Sequence, residues 1–323
     1  MHQIKTVPED FIVEEILDYK SAAEGKHALF LLKKKDADTM FALDLIAKKA
    51  RIRTKDIGYC GLKDKKAVTT QYISVPSSKK KKLDSLSFDE NITLSQVDII
   101  GEPLHLGDLT GNRFTITVRN LDAEMKLQNP RTIPNLFGEQ RFSTQNAKVG
   151  RALIKKDFAY AAELLESDGR YGSMITAMRA KEPNNYIGML QVVPKHLLKF
   201  MIHAYQSLLW NKTAAAMAND GCEQQDIPLV GFSTRLQDPA RRYYRSIMKE
   251  ESVSPRDFII RQLPDITSEG DERKLYMDVS DFSYTFSEDE MNKGKKKCSL
   301  SFMLKKGSYA TTLIDWLFGQ ERS

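Results

Sequence analysis

The distribution of apolar and polar residues predicts strands towards both ends of the chain and helices in its middle. Alternation with a period of two, which places successive side chains on opposite faces of a sheet, predicts strands over residues 71–75, 113–119 and 299–304. Apolar runs predict further strands at 11–15, 28–32 and 274–279. Within 113–119, Phe114, Ile116 and Val118 are expected to face the core, and Arg113 and Arg119 to face outwards.

Four helical segments follow from spacing and end signals. Asp36 and Asp38 are potential N-caps for a helix that runs to about Ala50, with Phe41 and Leu45 on its apolar side. Residues 143–166 are helical and charged, and 311–318 form a short helix near the C-terminus. Residues 196–218 are apolar on nearly every side, so this long helix should be largely buried.

Two basic segments have alternative interpretations. The lysine run at 79–82 predicts a solvated loop, with a clamp for RNA phosphates as the alternative. The segment 221–263 is harder to assign, but it carries the best basic and aromatic patch of the chain. Its members are Arg235, Arg241, Arg242, Tyr243, Tyr244 and Arg245. The patch suits phosphate contact and base stacking, or is simply surface.

Composition bounds the class of protein without fixing it. A chain of 323 residues with 41% hydrophobic residues can form two domains or one elaborated domain. The net charge of +6 suits a nucleic-acid partner but does not require one. Three isolated cysteines indicate neither a zinc site nor a disulfide framework. Without a signal-like or membrane-length apolar segment, a reduced, cytoplasmic protein is the default expectation.

The residues that carry potential chemistry lie between 58 and 71. Asp64 stands among Lys63, Lys65 and Lys66, after a glycine-containing turn and before the strand at 71–75. One interpretation is that Asp64 forms surface ion pairs with these lysines, which are common and weak. The other is that the lysines stabilise its ionised form and attract a polyanion, which makes Asp64 a candidate catalytic carboxylate. The local spacing alone does not choose between them.

Four blocks resemble, in order, those of the TruD family of tRNA pseudouridine synthases. Residues 58–71 are similar to the family's G-x-K-D-K/R-x-A-V-T-x-Q segment, and 5–15 to its K-x-x-P-E-D-F-x-V-x-E block. Residues 134–142 resemble N-Y-F-G-x-Q-R-F with Leu136 where an aromatic residue is usual, and 304–311 resemble L-P-x-G-S-Y-A-T without its proline. The resemblance spans nearly the whole chain.

The resemblance implies an α+β fold in two domains. A pseudouridine-synthase catalytic domain, with a mixed, mainly antiparallel sheet flanked by helices, would comprise residues 1–155 and 265–323. A TRUD-type α/β insertion domain would occupy 156–264. The implied reaction isomerises a flipped-out uridine of tRNA, typically uridine 13, and requires no cofactor or metal.

Matching the blocks residue by residue implies roles at the site. Asp64 would be the catalytic carboxylate, acting as a nucleophile at C1′ or as a base, and Lys5 would keep it ionised. Phe137 would stack on the target base, Phe11 would be a second aromatic residue of the site, and Asn135 would shape the loop or contact the nucleotide. Candidate RNA contacts are Lys63, Lys65, Arg113, Arg141, Arg241 and Arg242. For Arg141, pairing with Glu139 is an alternative.

Two other function classes are compatible with parts of this picture. A non-catalytic RNA-binding or RNA-folding module on the same scaffold would bind tRNA without isomerising a base. A soluble metabolic α/β enzyme would need a phosphate loop, a dinucleotide fingerprint or a metal cluster, and none is evident. The sequence identifies neither the tRNA species nor the uridine, and a monomer is only the default expectation.

Overall fold

The structure is a computed structural model that describes residues 2–88, 90–138, 141–142, 145–167, 169, 171–223 and 225–319. It divides into two compact units. The first unit comprises Met1–Ile133 and Asp278–Ser323, and the second unit comprises Pro134–Met277. The chain therefore leaves the first unit once and returns to it.

The described residues form mainly strands towards both ends of the chain and mainly helices in its middle. The strands are β1 (Phe11–Ile16), β2 (His27–Lys35), β3 (Gly58–Tyr59), β4 (Val68–Pro76), β5 (Ile92–Ile100), β6 (Gly111–Leu121), β7 (Thr132–Pro134), β8 (Asp226–Leu229), β9 (Asp271–Lys274), β10 (Tyr276–Glu288) and β11 (Lys296–Lys305). The helices are α1 (Thr39–Ala50), α2 (Lys80–Asp84), α3 (Asn146–Ile154), α4 (Phe158–Ser167), α5 (Gly172–Lys181), α6 (Tyr186–Gln191), α7 (Lys195–Asn219), α8 (Ala240–Glu251) and α9 (Ala310–Phe318).

One nine-stranded sheet organises the first unit. Its strand order is β5-β2-β4-β1-β6-β11-β10-β7, with β3 paired to β4 beside this path. Strands β1 and β4 are parallel, whereas the β1–β6, β6–β11, β10–β11, β2–β4 and β2–β5 pairs are antiparallel. The predicted α+β fold with a mixed, mainly antiparallel sheet is confirmed.

The central position of β1 brings the N-terminal block to the loop that carries Asp64. Ile12 pairs with Val68 at the start of β4, and Phe11 pairs with Ile116 on β6. The loop of residues 60–67 leads directly into β4, so its residues lie at the end of β4 that β1 also reaches. Two segments that are far apart in sequence thereby meet at the same end of the neighbouring strands β1 and β4.

Helix α1 packs on this sheet next to the same loop. The Asp38 carboxylate accepts hydrogen bonds from the backbone N–H groups of Met40 and Phe41, as expected for an N-cap, and lysines occupy the last turn. Ala42, Leu43, Ile46, Ala47 and Ala50 are buried against β2 and β4. The prediction for Phe41 was wrong: this residue is 61% exposed, because the buried side of the helix is formed by Thr39 and by the residues from Ala42 onwards.

Arg119 departs from the alternation predicted for β6. Asn120 adopts a left-handed conformation with φ 59°, and the β6–β11 register shifts at this point. This bulge turns Arg119 inwards, where it is 5% exposed. Its guanidinium donates to both carboxylate oxygens of Asp10 at 2.9 and 3.0 Å and to Asp289 at 2.9 Å. The prediction that Arg119 faces outwards was therefore wrong.

The second unit is largely helical, with α7 at its centre. Twelve residues of α7 are buried, including Trp210, as predicted for 196–218. The helical prediction for 143–166 is met by α3 and α4, which are separated where Lys156 adopts φ 61°. Residues 143 and 144 lie outside the described part of the chain.

The borders of the compact units differ from the domain borders expected at 155/156 and 264/265. Helix α3 packs against α7, and Leu275 joins the same core. Residues 134–155 and 265–277, which were expected in the catalytic domain, therefore belong with the second unit. That this unit is the family's insertion domain stays a prediction. The lysine run was expected to be a loop, but residues 80–82 belong to α2, which buries Leu83.

Candidate active site

The loop that carries Asp64 is shaped by a close backbone approach at Gly58. A Cβ atom at this position would lie 2.4 Å from the carbonyl oxygen of Leu104 and 2.5 Å from the hydroxyl of Ser74. At Gly61, by contrast, the nearest atom would be the Lys63 ammonium nitrogen at 4.0 Å. Only Gly58 is therefore required by packing, although both glycines suggested a turn.

Buried polar side chains fix the backbone of this loop. The Thr39 hydroxyl accepts from the N–H of Lys63 at 3.0 Å, and the Gln71 amide donates to the carbonyl of Gly61 at 3.1 Å. The Lys34 ammonium donates to the carbonyl of Asp64 at 2.8 Å. Thr39, Gln71 and Lys34 are all buried. The loop is thus anchored by α1, β4 and β2.

The structure brings Lys5, Phe11 and Asp64 together. Lys5 Nζ donates to Asp64 Oδ1 at 2.7 Å and lies 4.0 Å from the centroid of the Phe11 ring. The Lys5 side chain is 20% exposed and that of Asp64 37%. The Lys5 ammonium therefore pairs with one oxygen of a carboxylate that is partly exposed, so a substrate can reach it. Phe11 is 2% exposed, so the Lys5 ammonium makes a cation–π contact with a buried ring.

Lys5 holds this position through an unusual backbone conformation. Its φ is 56°, in the left-handed region that residues other than glycine rarely adopt. Such conformations cost on the order of 1–3 kcal/mol and cluster at functional sites. The neighbouring Gln3 pairs with Arg119 on β6, which secures the segment before Lys5.

Lys63 and Lys65, both expected to contact RNA, are placed differently. The Lys63 side chain is 6% exposed, and its ammonium pairs with Glu15, whose side chain is fully buried. Glu15 also accepts from the backbone N–H of Tyr72 at 3.1 Å. The expectation for Lys63 is thus contradicted, because its charge is neutralised inside the protein. Lys65 is exposed, and among the described residues no carboxylate pairs with it.

Arg113 lies on the face of β6 that was expected to be outward. Its guanidinium donates to Asp281 Oδ2 at 3.1 Å, and its side chain is 40% exposed. The arginine is accessible, but Asp281 already neutralises part of its charge. Its contact with RNA stays a prediction.

Asn135 and Phe137 lie in the second unit, where Arg273 holds both. Arg273 donates from Nε to the Asn135 carbonyl at 2.9 Å and from a terminal nitrogen to Asn135 Oδ1 at 2.6 Å. Asn135 Nδ2 donates to the carbonyl of Lys274 at 3.2 Å. These contacts favour the loop-shaping alternative for Asn135. Arg273 stands in a short, polar strand, and no pattern in the sequence pointed to it.

The Phe137 ring is enclosed by the second unit. It is 9% exposed, contacts Trp210 edge-on at 5.6 Å, and has the Arg273 guanidinium 4.1 Å from its centroid. The side chain of Asn211 clamps its backbone, with bonds of 2.9 Å to both its N–H and its carbonyl. Because Arg273 covers one face of the ring, only the rest of the ring is left for the predicted base stacking.

Arg141 borders a cavity of about 280 Å³ within the second unit. Its Nε donates to the Ser207 hydroxyl at 3.3 Å, and its guanidinium lies 5.5 Å from the Phe137 centroid and 5.3 Å from that of Phe200. His203 lines the same cavity, and burial together with Arg141 and Lys199 lowers its pKa. Asp271 and Glu272 line the same cavity as Arg141 and Arg273, so its lining carries charges of both signs. Glu139, the alternative partner of Arg141, lies outside the described residues.

Residues 241–245 of the basic and aromatic patch lie in helix α8, and because they are consecutive they point in several directions around it. Arg241, Arg242 and Arg245 are all exposed, and Arg242 also donates to the Tyr243 hydroxyl at 2.5 Å and lies 3.9 Å from Asp220. Tyr244 is fully buried, and burial raises its pKa. Base stacking by Tyr244, one element of the predicted patch, is therefore contradicted.

The remaining candidate chemistry is limited. Cys60, Cys222 and Cys298 are free, and burial raises the pKa of Cys60 and of Cys298 to about 12. Over the described residues, no group of three or more histidine, cysteine, aspartate or glutamate side chains could hold a metal ion. No helix in this part of the chain is both long and apolar enough to cross a membrane.

Comparison with known proteins supports the resemblance across the whole chain. The model of the family "tRNA pseudouridine synthase D (TruD)" matches residues 2–170 and 213–315. A probable tRNA pseudouridine synthase D 2 of Methanocaldococcus jannaschii is 31% identical over 398 aligned positions, which cover 98% of this chain and 91% of the relative. A probable tRNA pseudouridine synthase D of Thermococcus onnurineus is 31% identical, with coverage of 97% and 93%.

The fold is also similar to that of a solved relative. The crystal structure of the putative tRNA pseudouridine synthase D of Methanosarcina mazei superimposes with a TM-score of 0.80 at 25% sequence identity. The match covers 98% of this chain and 93% of the other. The sequence alignments are longer than the 323 residues of this chain, so the relatives contain segments that it lacks.

Proposed function

Because the chain belongs to the TruD family of tRNA pseudouridine synthases, we propose that Asp64 is the carboxylate with which it isomerises uridine 13 of tRNA. The enzyme is an isomerase by family membership. The observation that supports the role of Asp64 is the 2.7 Å hydrogen bond that the Lys5 ammonium donates to its carboxylate. The carboxylate remains partly exposed in this arrangement. The Asp64 loop is anchored from three elements, which is the rigidity that a catalytic group needs.

The reaction moves the glycosidic bond from N1 to C5, and one proton is lost from C5 while one is gained at N1. The N1–C1′ bond of the uridine breaks, the uracil rotates, and a C5–C1′ bond forms. The proton on C5 is then lost, and N1 gains one. Asp64 acts either as a nucleophile that adds to C1′ as the N1–C1′ bond breaks and leaves again as the C5–C1′ bond forms, or as a base that removes a ribose proton and returns it when the C5–C1′ bond forms. In both roles the Lys5 ammonium holds one oxygen of the carboxylate, and the contact with the Phe11 ring keeps the ammonium in place.

Access to C1′ requires that the target nucleotide leave the helical stack. Extrusion of a base costs a few kcal/mol, which contacts to the RNA backbone can offset. The exposed Lys65, next to Asp64, is suited to such a contact. In the second unit, the Arg141 guanidinium borders a cavity and is a further candidate for such a contact.

The position of the product tests the choice of uridine. We expect tritium release from tRNA transcripts labelled at C5 of uridine, with the product mapped to nucleotide 13. A matched transcript with cytidine at position 13 should release none above background. Release from that transcript at the same rate would contradict the assignment to uridine 13 and leave the enzyme class intact.

The exposed face of α8 is the second tRNA contact that we include in the proposal. Arg241, Arg245 and Lys249 are spaced by four residues, all are exposed, and no carboxylate of the described residues pairs with them. Like charges at this spacing destabilise a helix by about 0.2–0.5 kcal/mol per pair. A polyanionic partner would turn this repulsion into attraction.

Charge reversal on α8 should weaken tRNA binding without affecting chemistry. For the double variant R241E/R245E, we expect KM to rise about tenfold at low salt and kcat to stay within about twofold. The slope of log affinity against log salt should fall by about two, because two phosphates no longer bind an arginine. The control R256E/R261E makes the same change in net charge at exposed arginines of the same unit. Equal effects of both variants would show that only net charge matters.

A further inference from the structure

Lys34 is the middle residue of a lysine triplet and the only one of the three that points inwards. It lies on β2 between the exposed Lys33 and Lys35, and it is 1% exposed. Its cross-strand neighbours, Thr69 on β4 and Ile92 on β5, carry no charge. A lysine is rarely buried without a partner, because removing its charge from water is costly.

The partners of the Lys34 ammonium are backbone carbonyls. Nζ donates to the carbonyl oxygens of Ala37 and Asp64, each at 2.8 Å, and to that of Lys63 at 3.5 Å. Within the described residues no carboxylate pairs with it directly. Three N–H donors are therefore matched by three acceptors, two of which belong to the loop that carries the candidate catalytic residue.

We infer that Lys34 is a positioning residue for the reaction, because it fixes the main chain of Asp64 while Lys5 fixes its carboxylate. Two lysines from different segments thus hold one residue at both ends. Without the Lys34 ammonium, the carbonyls of Asp64 and Ala37 lose their buried donor. The loop is then free to rotate, and the carboxylate moves away from the position from which it reacts.

The charge of Lys34 gives this role a signature in pH. Burial lowers the pKa of Lys34 to about 8, against the opposing effect of Asp38 and Asp64 and with a further contribution from Lys63. Above this pH the ammonium loses one of its three donors. Catalysis should therefore decline as the pH rises through about 8, although the fold remains intact.

Stability should change in the opposite direction over the same range. The pKa of Lys34 is lower in the folded chain than its ordinary value of 10.5, so the unfolded chain binds more protons between the two values. The contribution of Lys34 to the free energy of unfolding therefore rises with pH from about 8 to 10.5. A loss of turnover without a loss of stability separates positioning from unfolding.

The variants K34M and K34R test the inference, with K156M as a matched control. Lys156 is also a partly buried lysine that donates to backbone carbonyls, those of Ile154 and Asp257, and burial lowers its pKa too, but it lies in the second unit. We expect K34M to lower kcat about 100-fold with KM within about threefold. K156M should lower the unfolding midpoint and leave kcat per folded molecule unchanged.

K34R decides the outcome if K34M does not fold. It retains a permanent charge, so its kcat should show no decline near pH 8, whereas that of the native enzyme should. Ionisation of the uracil base of the substrate affects both enzymes equally, so it cannot cause a difference between their pH profiles. Identical pH profiles for the two enzymes, or unchanged kcat per folded K34M molecule, would overturn the positioning role.

This inference rests on the proposed role of Asp64, and the two can fail separately. If the D64N enzyme still turns over, the catalytic assignment fails, whatever K34M does. If D64N is inactive while K34M retains full kcat, only the positioning role fails.

Discussion

Replacement of Asp64 by asparagine should abolish the formation of pseudouridine and leave tRNA binding within about threefold of the native affinity. The amide has nearly the same shape as the carboxylate, but it is neither a nucleophile nor a base. The loop should remain in place, because Thr39, Gln71 and Lys34 hold its backbone and not its side chain. The expected loss in kcat is on the order of 10⁴-fold or more. Tritium release under single-turnover conditions measures it.

Asp56 provides the matched control for this variant. It is an aspartate of the same unit whose carboxylate pairs with Arg53 at 2.7 Å on the surface. The D56N enzyme should retain native turnover. Turnover by D64N at more than a few per cent of the native rate would exclude Asp64 as the reacting group, and loss of tRNA binding by D64N would point instead to a structural role.

Removal of the Arg119 guanidinium should cause the largest loss of stability. In R119M, the buried carboxylates of Asp10 and Asp289 would both lose their cation. Breaking a buried ion pair in this way costs about 3–5 kcal/mol, because an uncompensated charge stays inside the protein. The free energy of unfolding in urea measures the loss. R113M, on the same strand, removes a half-exposed pair with Asp281 and should cost no more than about 1 kcal/mol.

The same network should make the fold sensitive to acid. Burial alone would raise the pKa of Asp289, but hydrogen bonds from the Asn120 backbone, the Asn292 side chain, the Met291 backbone and Arg119 together hold it well below 3.8. The stabilisation is therefore complete above that value and is lost as the pH falls below it. In R119M the pKa of Asp289 should lie closer to 3.8, since one of these donors is gone, so this carboxylate contributes less stability and less of it is lost in acid. Equal acid sensitivity of R119M and the native protein would contradict this account.

The sequence predicted those features that depend on local pattern and on matched blocks. Alternation identified β4, β6 and β11, and the Asp38 cap identified the start of α1. The association of Lys5 with Asp64 was implied by the resemblance, and the structure places the two in contact at 2.7 Å. In each of these cases, the information lies in residues a few positions apart or in a block that the family shares.

Features that depend on a partner distant in sequence were not predictable. Lys63 and Lys65 stand in the same motif, yet one is buried on Glu15 and the other is exposed. Nothing local distinguishes them, because Glu15 lies 48 residues away. Arg119 turns inwards at a bulge that the alternating pattern does not reveal. Arg273 meets Asn135 across 138 residues of chain.

The order of strands also dictates an order of events during synthesis. Strand β6 pairs with β1 on one side and with β11 on the other, and β11 ends only at Lys305. The whole second unit, a continuous segment from Pro134 to Met277, emerges from the ribosome in between. It can therefore complete its own core while β6 still has an open edge that could pair with another nascent chain. Strand β11, which is synthesised after the second unit, closes that edge.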